Sequence, residues 1–324
     1  MILAGDIGGT KTVLSLLTRS TEGLLHCLKE KTYSSQHHAE FDSLLLDFLP
    51  IGESIHSVCF GVAGPVVNQR CQTTNLPWLL DAEALKVQLN TDKVRLLNDL
   101  EAMALGMLYL PEEDLIELNP KAKPQTGTIA VLAAGTGLGE AILCWDGLQY
   151  HALGTEGGHT DFAPQNALQD QLLVYLRQKI GGHVSYERIV SGVGFSHLYD
   201  FLCDEGLAVP CVAVTQLSPD EDRNALISKL GVAGADPCCV EVLKMFVDIY
   251  GAEAGNLALK CLSTGGVFIG GGIGPKILPA LLEGRFMQAF KDKGRFLPML
   301  ESLSVKLSLN PRTPLIGAIN YFNN

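Results

Sequence analysis

The chain has 324 residues, 47% of them hydrophobic and 18% charged, which is ample apolar material for two α/β domains of ordinary size. A formal charge of −11 argues against a nucleic-acid partner, which would need clustered Lys and Arg, but not against a nucleotide held by backbone N–H groups. No run of about eighteen apolar residues exists to span a membrane, and the opening MILAGDIGG has no basic leader, so a cytoplasmic protein is expected. Nine scattered cysteines, with Cys238–Cys239 adjacent as the one close pair, read as reduced and mostly buried thiols. None stands at the spacing of a structural zinc site.

In chain order, ILAGDIGG and TVLSLLTR predict two strands joined by a Gly-rich turn. Further strands are expected at Ser57–Gly64 and Val94–Leu97, with helices at Asp81–Leu89 and Glu101–Leu108. Pro120–Gly127, polar and with two prolines, is the most linker-like stretch. A second strand, glycine turn and strand follow at Thr128–Ala134, GTGLG and Glu140–Trp145. Val240–Leu262 predicts a long helix, its polar stripe confined to Lys244, Asp248, Asn256 and Lys260, so most of its circumference is expected to be buried. Gly251 and Gly255 would be tolerated there for close packing. GGVFIGGGIG reads as a buried strand and turn, and Pro314–Phe322 as a terminal helix.

Chemistry concentrates at the glycine turns. GDIGGTKT is no Walker A loop, because Thr10 and not Gly precedes Lys11, and no dinucleotide fingerprint, because a strand follows. It remains a tight hairpin whose N–H groups could wrap a phosphate, with Asp6 placed to hold Mg²⁺ through water; an ordinary hairpin is the alternative. AAGTGLG follows the same logic, and Glu140 stands where a fingerprint would have its last Gly. Asn98 and Asp99 end an apolar strand, where Asp99 could accept the proton of a reacting hydroxyl or simply cap the next helix. Glu156 and His159 in GTEGGHTDF, and Glu187 in SYERIVSG, are planar polar groups suited to sugar hydroxyls. Glu187 could equally be a first-turn helix residue. GGGIG at Gly270–Gly274 could lie against an adenosine or be a structural turn.

The succession GDIGGT, GVAGP, LNDLEA, AAGTGLG, GTEGGHTDFAP, YERIVSG, GGVFIGGGI and FKDKGRF resembles the glucokinase family of bacterial type, from about residue 3 to residue 318. The resemblance implies a two-domain α/β fold, actin-like and hexokinase-like, with an interdomain active-site cleft. Its domains would be 1–109 with 310–324, and 110–309. It implies transfer of the γ-phosphoryl group of ATP to the 6-hydroxyl of glucose, with Asp99 as base and Mg²⁺ accompanying ATP. It further implies glucose contacts from Asn98, Asp99, Glu156, His159 and Glu187. The phosphate loops would be Gly5, Asp6, Ile7, Gly8, Gly9 and Thr10, together with Gly135, Thr136 and Gly137. Gly270, Gly271 and Gly272 would lie on the adenosine side, and a homodimer is expected. Lys11 departs from the Asn of many relatives, and Cys203–Pro237 matches the family poorly. A kinase for mannose, fructose or an N-acetyl sugar, a sugar sensor without catalysis, and an actin-like assembly protein are the competing readings.

Overall fold

The apolar runs on either side of Gly8–Thr10 form antiparallel strands β1 (Ile2–Ile7) and β2 (Lys11–Arg19), with β3 (Leu25–Ser34) outside β2. On its other edge β1 runs parallel to β4 (Ser57–Val62), and β4 parallel to β5 (Val94–Asn98), giving the order β3-β2-β1-β4-β5. Ile7, Val62 and Asn98 fall in one row across the three parallel strands. The carboxyl ends of β1 and β5 therefore share one edge, the place where open α/β sheets present ligand-binding groups. The computed structural model describes residues 1–49, 54–73 and 76–323. It divides into two units: Met1–Glu112, Asp146–Gly154 and Asn310–Asn324 in the first, Glu113–Trp145 and Thr155–Leu309 in the second.

Helix α1 (Asp99–Met107) starts two residues earlier than its sequence pattern predicts, and Asn98 caps it, not Asp99. The Asn98 side chain accepts the Leu100 N–H at 2.9 Å, while Glu101 reaches back to accept the Asn98 N–H at 2.9 Å. This reciprocal box satisfies two of the helix's orphan donors and fixes the turn out of β5. It leaves Asp99 as the first helical residue.

The terminal helix Thr313–Asn320 packs on α1 at backbone distance. A Cβ on Gly106 would lie 1.9 Å from the Thr313 carbonyl oxygen, and one on Gly317 would lie 1.8 Å from that of Ala102. Both positions are glycine because no side chain fits.

In the second unit, β6 (Ile129–Ala134) and β7 (Leu138–Trp145) make the second glycine hairpin. Strand β8 (Gly266–Gly270) pairs parallel with β6, and β9 (Val305–Ser308) parallel with β8. Around this sheet lie α2 (Gly192–Asp204), α3 (Arg223–Val232), α4 (Pro237–Lys260) and α5 (Arg285–Lys291). As its composition predicts, α4 is buried on most sides, with Phe246 stacked on Phe195 at 4.4 Å between ring centres. Gly251 and Gly255 admit the backbone of α5, whose Phe286 and Phe290 carbonyl oxygens would each stand 2.2 Å from an added Cβ. The polar stripe hides one surprise: Glu253 is fully buried. Pro120–Gly127 is an irregular loop held inside this unit, Lys123 N–H bonding to the Ser302 carbonyl at 2.8 Å. Among the described residues no helix is long and apolar enough to cross a membrane.

Overpacking a tight contact typically costs about 1–3 kcal/mol. Gly317→Ala is expected to lose at least that much in urea unfolding, because its Cβ would meet backbone and not a side chain that can turn aside. An unchanged midpoint would contradict the close helix pairing.

Candidate active site

In the first unit the β1–β2 turn is pinned from below. The Gly8 N–H bonds to the Lys11 carbonyl at 3.0 Å, and the Ser35 hydroxyl donates to the Gly8 carbonyl at 2.7 Å. The Ser35 N–H bonds to the Thr10 carbonyl at 2.9 Å. Gly5 and Ile7 sit within the packed sheet, so the groups that reach outward are Gly8, Gly9 and Thr10. Asp6, near the end of β1, has its pKa raised to about 6, first by burial and then by the negative charge of Asp99, with Lys11 opposing. The two mutually repelling carboxylates, Asp6 and Asp99, offer oxygen donors that suit a hard divalent cation such as Mg²⁺, whose charge would relieve their repulsion. Asn98 anchors this corner further, its side-chain N–H bonding to the Gly64 carbonyl at 3.0 Å.

In the second unit, Glu156, His159 and Glu187 come together. His159 Nε2 stands 3.9 Å from a Glu156 carboxylate oxygen, and its Nδ1 stands 3.8 Å from Glu187. The other Glu187 oxygen accepts the Leu138 N–H at 3.0 Å, just after the turn Gly135–Gly137. Glycine at 137 lets Glu187 lie close, because a Cβ there would stand 2.3 Å from that same oxygen and displace the carboxylate. Glu187 thus ties the glycine turn of β6–β7 to the loop that carries His159.

The same turn borders a cavity of about 800 Å³, within the range of small-molecule sites. Gly135, Thr136 and Gly272 line it, whereas Gly270 and Gly271 do not. Its other polar walls are Asp222, Asn224, Ser228, Lys229 and Lys276. These went unread in the sequence; four lie in the stretch Cys203–Pro237, and no local motif joins them to Lys276.

Residues 3–324 match the family model described as Glucokinase. The glucokinase of Trichormus variabilis is 41% identical over 333 residues, covering 98% of this chain and 97% of that protein. That of Synechocystis is 39% identical over 340 residues, covering 98% and 96%. The crystal structure of a glucokinase from an Antarctic psychrotroph superimposes with a TM-score of 0.82 at 30% identity, covering 100% of this chain and 99% of that one.

The chain belongs to the glucokinase family. The α/β fold expected from the order of the glycine motifs is that of the glucokinases and related sugar kinases. The chain's two glycine hairpins are β1–β2 and β6–β7.

The raised pKa of Asp6 has a consequence for stability. Below the ordinary carboxylate range Asp6 is neutral both folded and unfolded, and burial costs nothing extra. Above about pH 6 the fold must hold a charge that the unfolded chain carries freely, a cost on the order of 3 kcal/mol. Asp6→Asn in chelator-treated protein is therefore expected to raise stability at neutral pH and to lose that advantage as pH falls through the carboxylate range. Urea midpoints at the two extremes check this; a gain that persists in acid would contradict it.

Proposed function

We propose that this glucokinase-family chain moves the γ-phosphoryl group of ATP onto the 6-hydroxyl of glucose, with Asp99 as general base. The observation that carries the reading is the cluster of Glu156, His159 and Glu187 beside a glycine turn that also borders a cavity of nucleotide size. Hydroxyl groups donate and accept at once, and carboxylates and an imidazole offer both complements. Asn98 contributes its second side-chain N–H to the sugar, the first being committed to Gly64.

The chemistry assigned to the chain's own residues is modest, as phosphoryl transfer requires positioning and charge stabilisation more than covalent work. Asp99 accepts the proton of the 6-hydroxyl as that oxygen attacks phosphorus, and ADP leaves with the electron pair of the broken P–O bond. Gly8, Gly9 and Thr10 on one hairpin and Gly135, Thr136 and Gly137 on the other offer backbone N–H groups to the phosphates. The cavity wall at Gly272 and Asn224 takes the adenosine. Asp6 would hold Mg²⁺, which when bound would neutralise phosphate charge. The resemblance also supports kinase domains 1–109 with 310–324 and 110–309, a homodimer, which light scattering would test, and residence in the cytoplasm.

ADP release from Mg·ATP, measured with glucose, mannose, fructose, N-acetylglucosamine or no sugar, tests the activity. The largest stimulation is expected with glucose; stimulation by another hexose alone would move the specificity, and none at all would sink the kinase reading. Asp99→Asn is expected to keep glucose binding by calorimetry while kcat falls by about 10²–10⁴-fold. A variant turning over at nearly the wild-type rate would remove Asp99 from the role of base.

A further inference from the structure

We infer that Glu140 is a positioning residue for the loop carrying Glu156 and His159, and that it holds the loop in its sugar-binding form only while it shares a proton with Glu253. This rests on the proposed role of Glu156 and His159 in sugar binding.

Glu140 lies on β7, two residues after Leu138, and is 1% exposed; Glu253 on α4 is 0% exposed. Neither carboxylate oxygen of Glu140 meets an N–H or O–H donor among the described residues. What faces it is the Glu253 carboxyl. Two carboxyls bond to one another only when a proton lies between them. Glu253 is supplied from its other side, accepting the Asn256 side-chain N–H at 2.8 Å and Lys260 Nζ at 3.1 Å.

The sugar loop rests directly on Glu140. A Cβ on Gly157 would lie 2.0 Å from Glu140 Oε2, so the loop backbone sits flat on the carboxyl group. The Thr155 hydroxyl donates to the Glu140 carbonyl at 3.1 Å and accepts the Gly157 N–H at 3.1 Å. A second arm runs from the pair to Glu187: Asn256 Nδ2 also donates to the Tyr186 hydroxyl at 2.9 Å, and Tyr186 precedes Glu187 in the chain. Hence the pair supports the loop of Glu156 and His159 from beneath and touches the element bearing Glu187.

The remaining titratable groups facing the pair are Lys260, Lys293 with its neighbour Asp292, Tyr186, Tyr250 and Cys261. Burial, then the charge of Glu253, raises the Glu140 pKa to about 8, with Lys260 opposing. At neutral pH the shared proton is therefore in place. Above that value two carboxylates repel directly beneath Gly157, whose backbone rests on Glu140, and the strain falls on the loop. Sugar binding weakens, while the base Asp99 lies outside this cluster.

The test is the KM for glucose across neutral to alkaline pH at saturating Mg·ATP, in the wild type, Glu140→Gln and Glu253→Gln. Wild-type KM is expected to climb above about pH 8, at most about tenfold per pH unit. Either glutamine supplies a permanent donor across the pair, so both variants are expected to hold KM flat over the same range, with kcat following the wild-type pH profile. A role confined to fold stability would lower melting temperature and leave the pH dependence of KM in place. A flat wild-type KM overturns the inference, and so does a rise that either folded variant retains. Should neither variant melt cooperatively, the wild-type profile decides alone. Absent sugar-stimulated ADP release would instead defeat the kinase reading, whereas normal release with a flat KM defeats only the role of Glu140.

Discussion

The contact between α1 and the helix Thr313–Asn320 is the constraint from which the corner bearing Asn98 and Asp99 follows. Backbone lies on backbone at Gly106 and Gly317, and no side chain could be interposed. Such a contact fixes α1 along its length, and with it the helix start at Asp99. The capping box of Asn98 and Glu101 then sets the angle at which strand becomes helix. Asp99, the first residue of the helix, accepts the Leu100 N–H at 3.0 Å.

A second theme is charge kept where burial opposes it. Asp6 at the edge of one sheet and Glu140 beneath the hairpin of the other both have raised pKa values, and in each case burial is the largest cause and a second carboxyl the next. Groups under such tension cluster at functional sites because a ligand, a cation or a proton can relieve it. The two cases differ in what relieves them. Asp6 reaches an oxygen-donor corner with Lys11 at hand, whereas Glu140 is enclosed and answers only to a proton.

Much of this was readable in advance, for identifiable reasons. Both glycine hairpins announced themselves because turn residues interrupt β-rich runs locally. Asn98-x-x-Glu101 carries a capping-box pattern within four residues, yet the choice between Asn98 and Asp99 as cap depends on which side chain turns back, and adjacent residues of similar propensity do not decide that. The cavity wall was invisible because Asn224, Ser228 and Lys229 meet Lys276 only through the packing of separate segments. Glu253 went unread for a different reason: it sits on α4 three residues before Asn256 and seven before Lys260, outside the four-residue polar stripe of that helix. Its partner Glu140 lies on another element altogether, and burial of that kind is set by tertiary contacts, beyond the reach of local pattern.

The helix that locks α1 comes from the last stretch of the sequence, after the whole second unit has been made. A chain emerging from the ribosome presents its N-terminal sheet first, and such segments ordinarily fold as they appear. Here β1 to β5 and α1 wait with an apolar face uncovered until Thr313–Asn320 is released. The second unit, nearly continuous from Glu113 to Leu309, is complete before that moment. The corner bearing Asp99 thus reaches its final packing only when segments far apart in the sequence have met.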